Sequence, residues 1–360
     1  MRRPIVVQHY AGEPGASGPA TAAERILRSR LAMQYQFVPM RQLRGNGLVD
    51  LRLIRAWARM LRQVRPDIVH IRGLQNEGFH AAVATRLAGC PRVLVTIHGT
   101  VRDLRFGSAG VRRRALTQLA EPFTLRSATH LATVCQRAAH RGFVQQFADK
   151  FAGVVPNGVP VPKPSSRRRS AARRQHLFTP SDFVMVTASR LTWEKGYRSL
   201  ATAMRLLPRS SNQRHLLILG DGPDAAAIRA EFAGVAGTEV QFAGQRTDIT
   251  SYLAAADVFV FPTLHENLSN ALLEAMAHGV PAIATAVGGN VEVLNHGGGL
   301  LVPVQSPVAL ANAVTRLEND PDERKRLGCA ARQVVREHYS VDNMIDTLDD
   351  LYQKMLADSA

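Results

Sequence analysis

The sequence predicts an α/β protein that contains two doubly wound parallel sheets. Short apolar strands alternate with helical patterns in both halves of the 360-residue chain, and a Pro- and Arg-rich stretch separates the two series. A chain of this length is long enough for two domains with a core each. We therefore expect an N-terminal domain over 1–160, a linker over 161–180, a second domain over 181–338 and a C-terminal helix over 339–360.

In the N-terminal half, four apolar runs are typical of buried strands. Helical patterns fit between these runs, which predicts a series of βαβ units and hence a parallel sheet. The runs are Ile5–His9, Asp67–Ile71, Val93–His98 and Leu131–Val134. The turn signal Pro156-Asn157-Gly158 then closes the series.

The C-terminal half repeats this alternation and ends in an amphipathic helix. Predicted strands lie at 183–187, 216–219, 240–242, 258–261 and 282–285. The last helix, capped by Ser340, has one apolar stripe made of Met344, Ile345, Leu348, Leu351, Tyr352 and Met355. From the sequence alone, this stripe packs equally well on the N-terminal domain or on a second copy of the chain.

The net charge of +16 lies entirely in the first part of the chain. Residues 1–160 contain 24 Lys and Arg against 8 Asp and Glu, whereas residues 161–360 contain 21 of each. Two groups of arginines dominate, namely Arg52, Arg55, Arg59, Arg62 and Arg65, and Arg102, Arg105, Arg112, Arg113 and Arg114. Such a surface is either a solvated face or a site for anionic lipid headgroups or a lipid-linked diphosphate. Nucleic acid is disfavoured, because this half contains no helix-turn-helix or zinc signature and few aromatics for base stacking.

The compartment is predicted from the cysteines and from the apolar runs. Cys90, Cys135 and Cys329 have neither metal-ligand spacing nor a disulfide framework. No run reaches the ~18 apolar residues of a membrane-spanning helix, and Met1-Arg-Arg-Pro4 leads directly into a strand. We expect a cytoplasmic protein, with peripheral contact at the inner face of an anionic membrane through its basic N-terminal domain.

The segment 257–281 contains the most informative pattern in the chain. A buried strand is followed by a loop carrying Glu266, an N-cap at Ser269, and a helix carrying Glu274 that ends at Gly279-Val-Pro281. The backbone N–H groups of Asn267, Leu268, Ser269 and Asn270 favour an anion, and two carboxylates are suited to bind sugar hydroxyls. Together these features indicate a sugar attached to a phosphate, although a capped helix with solvated glutamates has the same spacing.

The ordered set of motifs resembles the retaining glycosyltransferases of family four. After the two glutamates comes Pro281-Ala-Ile-Ala-Thr-Ala-Val-Gly-Gly289, and before them come Ser189-Arg-Leu-Thr-Trp-Glu-Lys-Gly196 and Leu217-Ile-Leu-Gly-Asp-Gly-Pro223. Val155-Pro-Asn-Gly-Val159 resembles the hinge segment of that family. The resemblance runs from about residue 5 to about 355. It implies the GT-B fold, in which two Rossmann-like domains face an interdomain cleft and the C-terminal helix crosses back to the N-terminal domain.

The resemblance also implies roles for residues on the donor side. Arg190 and Lys195 would hold the diphosphate, Glu274 the ribose hydroxyls of the nucleotide, and Glu266 the transferred sugar next to the reacting carbon. The loop Asn267-Leu-Ser-Asn270 departs from the commoner Gly-Phe-Gly pattern, so the identity of the hexose stays open. Asp320-Pro-Asp322 begins a helix rather than a metal site, and we expect no metal or other cofactor.

On the N-terminal side, the resemblance points to a glycine-rich loop and a histidine. Gly15 and Gly18 occupy the loop after the first strand, where glycine allows close approach to a phosphate, and Ser17 replaces the usual first glycine. His98, which follows the strand at Val93, would contact the donor sugar. As a lone residue at a strand end, it is more typical of a structural histidine.

These inferences predict a hexosyltransferase that moves a hexose from a nucleotide-diphosphate sugar to a hydroxyl acceptor with retention of configuration. A lipid-linked, polysaccharide or glycolipid precursor is the expected acceptor. Alternatives are a sugar phosphorylase or nucleotide-sugar hydrolase on the same scaffold, and a non-catalytic subunit that binds a nucleotide sugar. The sequence names neither the sugar, the nucleobase, the acceptor, the linkage nor the oligomeric state.

Overall fold

The computed structural model describes residues 2–12, 18–43, 49–100, 102 and 110–358, leaving out the side chains of residues 111 and 112. It divides the chain into two compact units. Unit 1 comprises Met1–Gly158 together with Val341–Ala360, and unit 2 comprises Val159–Ser340. Each unit contains a six-stranded parallel sheet with helices, as the alternating pattern predicts.

The sheet of unit 1 has the strand order β2-β1-β3-β4-β5-β6. Its strands are β1 (Ile5–Ala11), β2 (Gln36–Gln42), β3 (Ile68–Arg72), β4 (Val93–Ile97), β5 (His130–Thr133) and β6 (Phe151–Val154). The chain moves from β1 to β2 in one direction and places β3 on the other side of β1. In open α/β sheets, ligands bind at the carboxyl ends of the strands at such a reversal.

Helices cover both faces of this sheet because its strands are apolar on both sides. One face, which includes Val7, Val69 and Val95, packs against Ile54, Trp57 and Leu61 of a strongly amphipathic helix. The helices before the domain boundary are α1 (Gly18–Leu27), α2 (Leu31–Gln34), α3 (Leu51–Val64), α4 (Asn76–Ala88), α5 (Val111–Ala115), α6 (Glu121–Ser127), α7 (Gln136–Ala139) and α8 (Gly142–Gln145). A π-helical turn, Leu116–Ala120, joins α5 to α6.

Unit 2 repeats the topology with the strand order β12-β11-β10-β7-β8-β9. Its strands are β7 (Phe183–Ala188), β8 (Arg214–Leu219), β9 (Glu239–Gly244), β10 (Val258–Phe261), β11 (Ala282–Thr285) and β12 (Gly299–Val302). The reversal lies between β7 and β10, whose following loops carry the predicted donor-side residues. Its helices are α9 (Ser166–Gln175), α10 (Tyr197–Leu206), α11 (Ala225–Glu231), α12 (Thr250–Ala255), α13 (Asn270–Ala277), α14 (Gly288–Asn295), α15 (Pro307–Asn319) and α16 (Pro321–His338).

The segment 161–180, which the sequence presents as a linker, is packed into unit 2. Helix α9 is anchored by ion pairs from Arg169 Nη2 to Asp257 Oδ1 at 2.7 Å and from Arg173 Nη1 to Asp257 Oδ2 at 3.2 Å. Two of the arginines that make the stretch look like a solvated connector therefore pair with a carboxylate at the start of β10.

The last helix, α17 (Val341–Ala357), packs in the core of unit 1. All six residues of its predicted apolar stripe are buried, in a cluster that includes Val6, Ile68 and Leu94 of the sheet. The hydroxyl of Tyr35 donates to Asp349 Oδ1 at 2.7 Å and adds a polar contact to this packing. None of the helices that the structure describes is both long and apolar enough to cross a membrane.

Three strands, β2, β6 and β12, are missing from the sequence-based assignment. All three lie at the edges of their sheets, where a strand has only one pairing partner. β2 contains Pro39, and a proline within an apolar run argues against a strand. Proline is tolerated here because β2 lies at the edge of the sheet, where not every backbone N–H pairs with a neighbouring strand. β6 and β12 are four residues long and each contains a glycine, which weakens the apolar pattern of so short a strand.

Candidate functional site

The loops after β7 and β10 bring a cation and a carboxylate of the predicted site into contact. Lys195 ends a single 3₁₀ turn after β7, and Glu266 lies in the loop between β10 and α13. Lys195 Nζ is 3.0 Å from Glu266 Oε2, and both side chains are largely buried, with 17% and 18% exposed. Two residues 71 positions apart thus meet at the carboxyl end of the sheet, where the topology reverses.

Backbone contacts hold these two loops together. The N–H of Leu264 donates to the carbonyl of Glu194 at 2.8 Å, which ties the β10 loop to the 3₁₀ turn. Gly196 follows Lys195 with φ of +78°, and a Cβ at this position would lie 1.9 Å from the carbonyl oxygen of Pro262. Only glycine combines this φ with this close approach, so Gly196 is what allows Lys195 to approach the β10 loop.

The carboxylate of Glu266 is fixed from both sides. Its Oε1 accepts from the N–H of Asn267 at 3.1 Å, while Oε2 is paired with Lys195. The carbonyl of Asn267 accepts from the N–H of Gly289 at 2.7 Å, and a Cβ on Gly288 would lie 1.5 Å from the carbonyl oxygen of Glu266. The glycines at 288 and 289 therefore allow the close backbone contacts that hold Glu266 and Asn267 in place.

The beginning of α13 is built as the sequence predicts. Ser269 is the N-cap, and its hydroxyl accepts from the N–H of Leu272 at 3.2 Å. Glu274 lies inside this helix and is partly buried, and Asn267, Leu268 and Ser269 are buried while Asn270 is partly buried. One detail differs from the expectation of four N–H groups directed at a ligand, because the N–H of Asn267 is already donated to Glu266.

Arg190, the second predicted cation, differs from Lys195 in its surroundings. It follows β7 directly, its side chain is exposed, and its carbonyl accepts from the N–H of Thr192 at 2.9 Å. Among the residues that the structure describes, its guanidinium makes no hydrogen bond or ion pair. The structure thus joins Lys195 to Glu266 but leaves the guanidinium of Arg190 in solvent, and its predicted role stays a prediction.

In unit 1, the two predicted positions that the structure describes lie at the carboxyl side of the sheet. His98 follows β4, and although the residue is partly exposed, its Nε2 atom is buried. Burial, followed by the charge of Arg72, lowers the pKa of His98 from 6.5 to about 3, so the ring is neutral. Gly18 is the first residue of α1, whereas Gly15 lies outside the described residues.

Sequence reasoning missed a second polar group in unit 1, centred on Arg72 at the end of β3. Its members are Gln8, His9, His70, Arg72, Thr96 and Tyr352, and each is at most 2% exposed. The signal was present, because a charged residue at the carboxyl end of an apolar strand is unusual in a buried position. We call this group the Arg72 cluster.

Within the described residues, no group of three or more His, Cys, Asp or Glu side chains has the arrangement of a metal site. Asp320 of the Asp-Pro-Asp triplet instead caps α16, since its Oδ1 accepts from the N–H of Glu323 at 2.7 Å. That triplet is therefore a helix start, as predicted. The independence from metal stays a prediction.

Each of the two units contains a six-stranded parallel sheet whose strand order reverses in the same way, and this is the architecture of the GT-B class of proteins. Family models agree: residues 14–162 match "Glycosyltransferase Family 4" and residues 168–334 match "Glycosyl transferases group 1". The chain belongs to the glycosyltransferases of family four.

The chain is also similar to curated relatives in sequence and to solved structures in fold. A GDP-mannose-dependent alpha-(1-6)-phosphatidylinositol dimannoside mannosyltransferase of Mycobacterium tuberculosis is 30% identical over 64% of this chain, and the match spans 60% of the relative's length. The UDP-Gal:alpha-D-GlcNAc-diphosphoundecaprenol alpha-1,3-galactosyltransferase of Escherichia coli is 25% identical over 89% of this chain and 84% of its own. In structure, the chain is similar to a sucrose-phosphate synthase of Thermosynechococcus elongatus, with a TM-score of 0.80, 19% identity, and coverage of 99% and 100% of the two chains.

Proposed function

We propose that this protein is a retaining, metal-independent hexosyltransferase that uses a nucleotide-diphosphate sugar as donor. The observation that carries the proposal is the Lys195–Glu266 pair at the carboxyl end of the unit 2 sheet, with Glu274 on the helix that follows. The two relatives are named for GDP-mannose and UDP-galactose as donors, which supports the donor class. Neither name fixes the sugar or the nucleobase of this protein.

In the proposed reaction, Lys195 stabilises the negative charge that develops on the leaving diphosphate. An ammonium held by a fixed backbone turn is suited to this, because an oriented charge in a partly dry site needs no rearrangement during the reaction. Arg190 is exposed and is proposed as the second cation of the diphosphate site. Glu274 is proposed to accept hydrogen bonds from the ribose hydroxyls.

Glu266 is proposed to orient the hexose rather than to attack it. Both of its carboxylate oxygens already accept hydrogen bonds, from Lys195 and from the N–H of Asn267, and such bonds reduce the nucleophilicity of a carboxylate. Retention then follows from a front-face reaction. The bond from the anomeric carbon to the phosphate oxygen breaks, the acceptor oxygen bonds to the same face, and its proton passes to the leaving phosphate.

The acceptor is proposed to be a phosphate-containing lipid or glycolipid. The relatives named above are described as acting on a phosphatidylinositol mannoside and on a diphosphoundecaprenol-linked sugar. In unit 1, the face of α3 opposite its buried residues carries exposed arginines, namely Arg52, Arg55, Arg59 and Arg62. Each basic residue near an anionic membrane surface contributes about 1 kcal/mol, so this face is suited to peripheral contact.

The test combines a donor screen with a product assay. UDP-, GDP- and ADP-sugars are screened by thermal shift in EDTA, and a radiolabelled form of the donor that binds is incubated with a polyprenyl-phosphate-linked sugar. We expect stabilisation by one nucleotide class and transfer of label to the lipid in the wild type and in Lys163→Ala, an exposed lysine of unit 2. Lys195→Ala should lose both.

The other outcomes identify the alternatives. Release of free labelled sugar without transfer indicates a hydrolase, and release that requires inorganic phosphate indicates a phosphorylase. Donor binding with neither product indicates a binding subunit. Stabilisation by no nucleotide sugar contradicts the proposal.

A further inference from the structure

The Arg72 cluster lies at the carboxyl ends of β1, β3 and β4, at the topological reversal of the unit 1 sheet. Gln8 and His9 belong to β1, His70 and Arg72 to β3, and Thr96 to β4. The sixth member, Tyr352, is supplied by α17. Polar side chains at this position of an open α/β sheet commonly contact a ligand. The proposed function assigns no role to them.

Arg72 is the only charged member of the cluster, and its neighbours do not neutralise it. Its Nη1 donates to the carbonyl of His9 at 3.3 Å and its Nη2 to His70 Nδ1 at 3.2 Å, and its side chain also hydrogen-bonds to Tyr352. All three acceptors are uncharged. In the part of the chain that the structure describes, no carboxylate pairs with Arg72, although the side chain is only 2% exposed.

The hydrogen bonds around His70 show that this ring is neutral. A guanidinium only donates, so His70 Nδ1, which faces Arg72, accepts and has no proton. The hydroxyl of Tyr352, 2.7 Å from Nδ1, then donates to it, and His70 Nε2 donates to Thr96 Oγ1 at 2.7 Å. Gln8 Nε2 donates to the Tyr352 hydroxyl at 2.8 Å and completes the chain. These bonds fix the position of Arg72 without reducing its charge.

His9 provides a second, independent indication of a missing partner. Its Nδ1 lies 3.4 Å from the N–H of Arg72 and accepts from it, which places the ring proton on Nε2. That Nε2 atom is buried and has no hydrogen-bond partner among the residues that the structure describes. A buried N–H donor without an acceptor is rare in a folded protein and commonly indicates a ligand or an ordered water. Gln8 Oε1 is also buried without a donor.

Unit 2 shows how this chain treats buried arginines that have only a structural role. Arg173 is paired with Asp257, and Arg214 forms hydrogen bonds of 2.6–3.0 Å from two of its nitrogens to both oxygens of Glu318. Arg214 and Glu318 are 3% and 2% exposed, which matches the burial of Arg72. Arg72 and Arg214 are therefore buried to the same extent and differ in whether a carboxylate pairs with the guanidinium. A buried charge without a counter-charge is strongly unfavourable unless a bound group supplies it.

We propose that the Arg72 cluster binds an oxyanion of phosphate type, with Arg72 supplying the charge and His9 Nε2 a hydrogen bond. This rests on the proposed function, in which both substrates contain phosphate, and it gives unit 1 a phosphate-binding residue of its own. The anion comes either from the phosphate of the lipid acceptor or from the diphosphate of the donor. Arginine suits both, because its planar fork of N–H groups matches the oxygens of a phosphate.

The test measures anion binding without requiring activity. In an Arg190→Ala/Lys195→Ala background, which disables the proposed donor site, thermal shift is recorded with inorganic phosphate, farnesyl phosphate, farnesol and the nucleoside diphosphates. The same titrations are repeated after adding Arg72→Met, Arg72→Lys or, as a matched buried arginine, Arg214→Met. We expect a phosphate-dependent stabilisation that Arg72→Met abolishes, that Arg72→Lys partly restores and that Arg214→Met leaves intact.

The outcomes separate the two sources of the anion and the failure of each proposal. Loss of the farnesyl phosphate effect, with farnesol inert, identifies the acceptor phosphate, and loss of the nucleoside diphosphate effect alone identifies the donor. Equal stabilisation with and without Arg72, or none with any phosphate, overturns the inference. Because the background lacks Arg190 and Lys195, these results do not depend on whether the donor site in unit 2 is assigned correctly.

Discussion

The two units share one topology and differ in how they handle charge. Unit 1 contains 25 Lys and Arg against 13 Asp and Glu, and unit 2 contains 20 against 16. In unit 2, the buried Arg173 and Arg214 and the half-buried Lys195 all pair with carboxylates. In unit 1, Arg72 is buried among uncharged groups. Within the described residues, the buried arginines of unit 2 are thus neutralised by carboxylates, whereas Arg72 of unit 1 is not.

Lys195 of the candidate donor site is paired with a carboxylate, as the buried arginines of unit 2 are, but it is also proposed to bind a ligand. Lys195 is paired with Glu266 in this structure, so a diphosphate that reaches Lys195 has to compete with a carboxylate of the protein itself. The competition adds selectivity, because only a ligand with enough negative charge displaces the pair, and a hexose that contacts Glu266 compensates that carboxylate. Among the residues that the structure describes, no carboxylate competes in this way for Arg72.

The largest effect is expected on turnover from Glu266→Gln. Loss of one preorganised charged group at a reacting centre lowers kcat by about 100- to 1,000-fold. Affinity for the nucleoside diphosphate should stay the same or rise, because Lys195 no longer pairs with a carboxylate. Steady-state kinetics and calorimetry measure the two quantities. A parallel fall of activity and nucleotide affinity would mean that Glu266 acts on the nucleotide and not on the hexose.

The next effect concerns the stability of the protein after either of two buried arginines is replaced. Arg214→Met leaves Glu318 buried and unpaired and should lower the free energy of unfolding by about 3–5 kcal/mol. The double variant Arg214→Met/Glu318→Leu should recover most of this loss. Arg72→Met leaves no carboxylate unpaired and should cost much less, or stabilise the ligand-free protein. Urea unfolding compares the three variants, and equal destabilisation by Arg214→Met and Arg72→Met would remove the contrast between the units.

Acidification should weaken unit 1 through its buried histidines. Burial lowers the pKa of His9 to about 3 and that of His70 well below 6.5. Because the unfolded chain binds these protons near pH 6.5 and the folded chain does not, stability is complete above pH 6.5 and falls as the pH drops. Each histidine contributes a slope of about 1.4 kcal/mol per pH unit.

The measurement is urea unfolding from pH 7.5 to 5 for the wild type and His9→Gln. The variant should lose stability less steeply with falling pH, even if it is less stable at pH 7.5. His130→Gln provides the control, because His130 is partly exposed and its Nε2 lies 3.2 Å from Asp358 Oδ2. The same slope in the wild type and in His9→Gln would contradict a neutral buried His9.

The smallest effect distinguishes two tyrosines at the α17 packing surface. Tyr352→Phe removes the hydroxyl that accepts from Gln8 and donates to His70, and Tyr35→Phe removes the hydroxyl that donates to Asp349. Each should cost about 0.5–1.5 kcal/mol of stability. Only Tyr352→Phe should also weaken the phosphate response of the Arg72 cluster. An equal phosphate response in both variants would mean that Tyr352 of α17 does not contribute to phosphate binding by the Arg72 cluster.

Much of the fold was predictable from the sequence because its strands are buried on both faces. Such strands appear as apolar runs bounded by turn residues, and nine of the twelve strands were assigned this way. The six apolar positions of α17 were predicted individually, since a helix that packs by one stripe shows the stripe in its sequence. The edge strands β2, β6 and β12 could not be found, because Pro39 interrupts β2 and because β6 and β12 are short and contain a glycine.

The site was predictable where its residues form a local motif and not where topology assembles it. Ser269, Glu266 and Glu274 lie within one short segment, and Lys195 belongs to a second motif. The contact between Lys195 and Glu266 depends on the pairing of β7 with β10, which no local pattern reveals. The Arg72 cluster could not be predicted from the sequence either, because Gln8, His70 and Tyr352 are brought together from positions up to 344 residues apart.

Calorimetric titration of a nucleotide sugar into the metal-free wild type, Lys195→Ala and Glu274→Ala tests whether the donor site lies at the carboxyl end of the unit 2 sheet. Each charge-assisted hydrogen bond contributes about 1.5–3 kcal/mol. We therefore expect binding to the wild type and a loss of affinity of about 10-fold or more in each variant, with Lys163→Ala unchanged. Equal affinity in the wild type and both variants would contradict the assignment of the donor site to the carboxyl end of the unit 2 sheet.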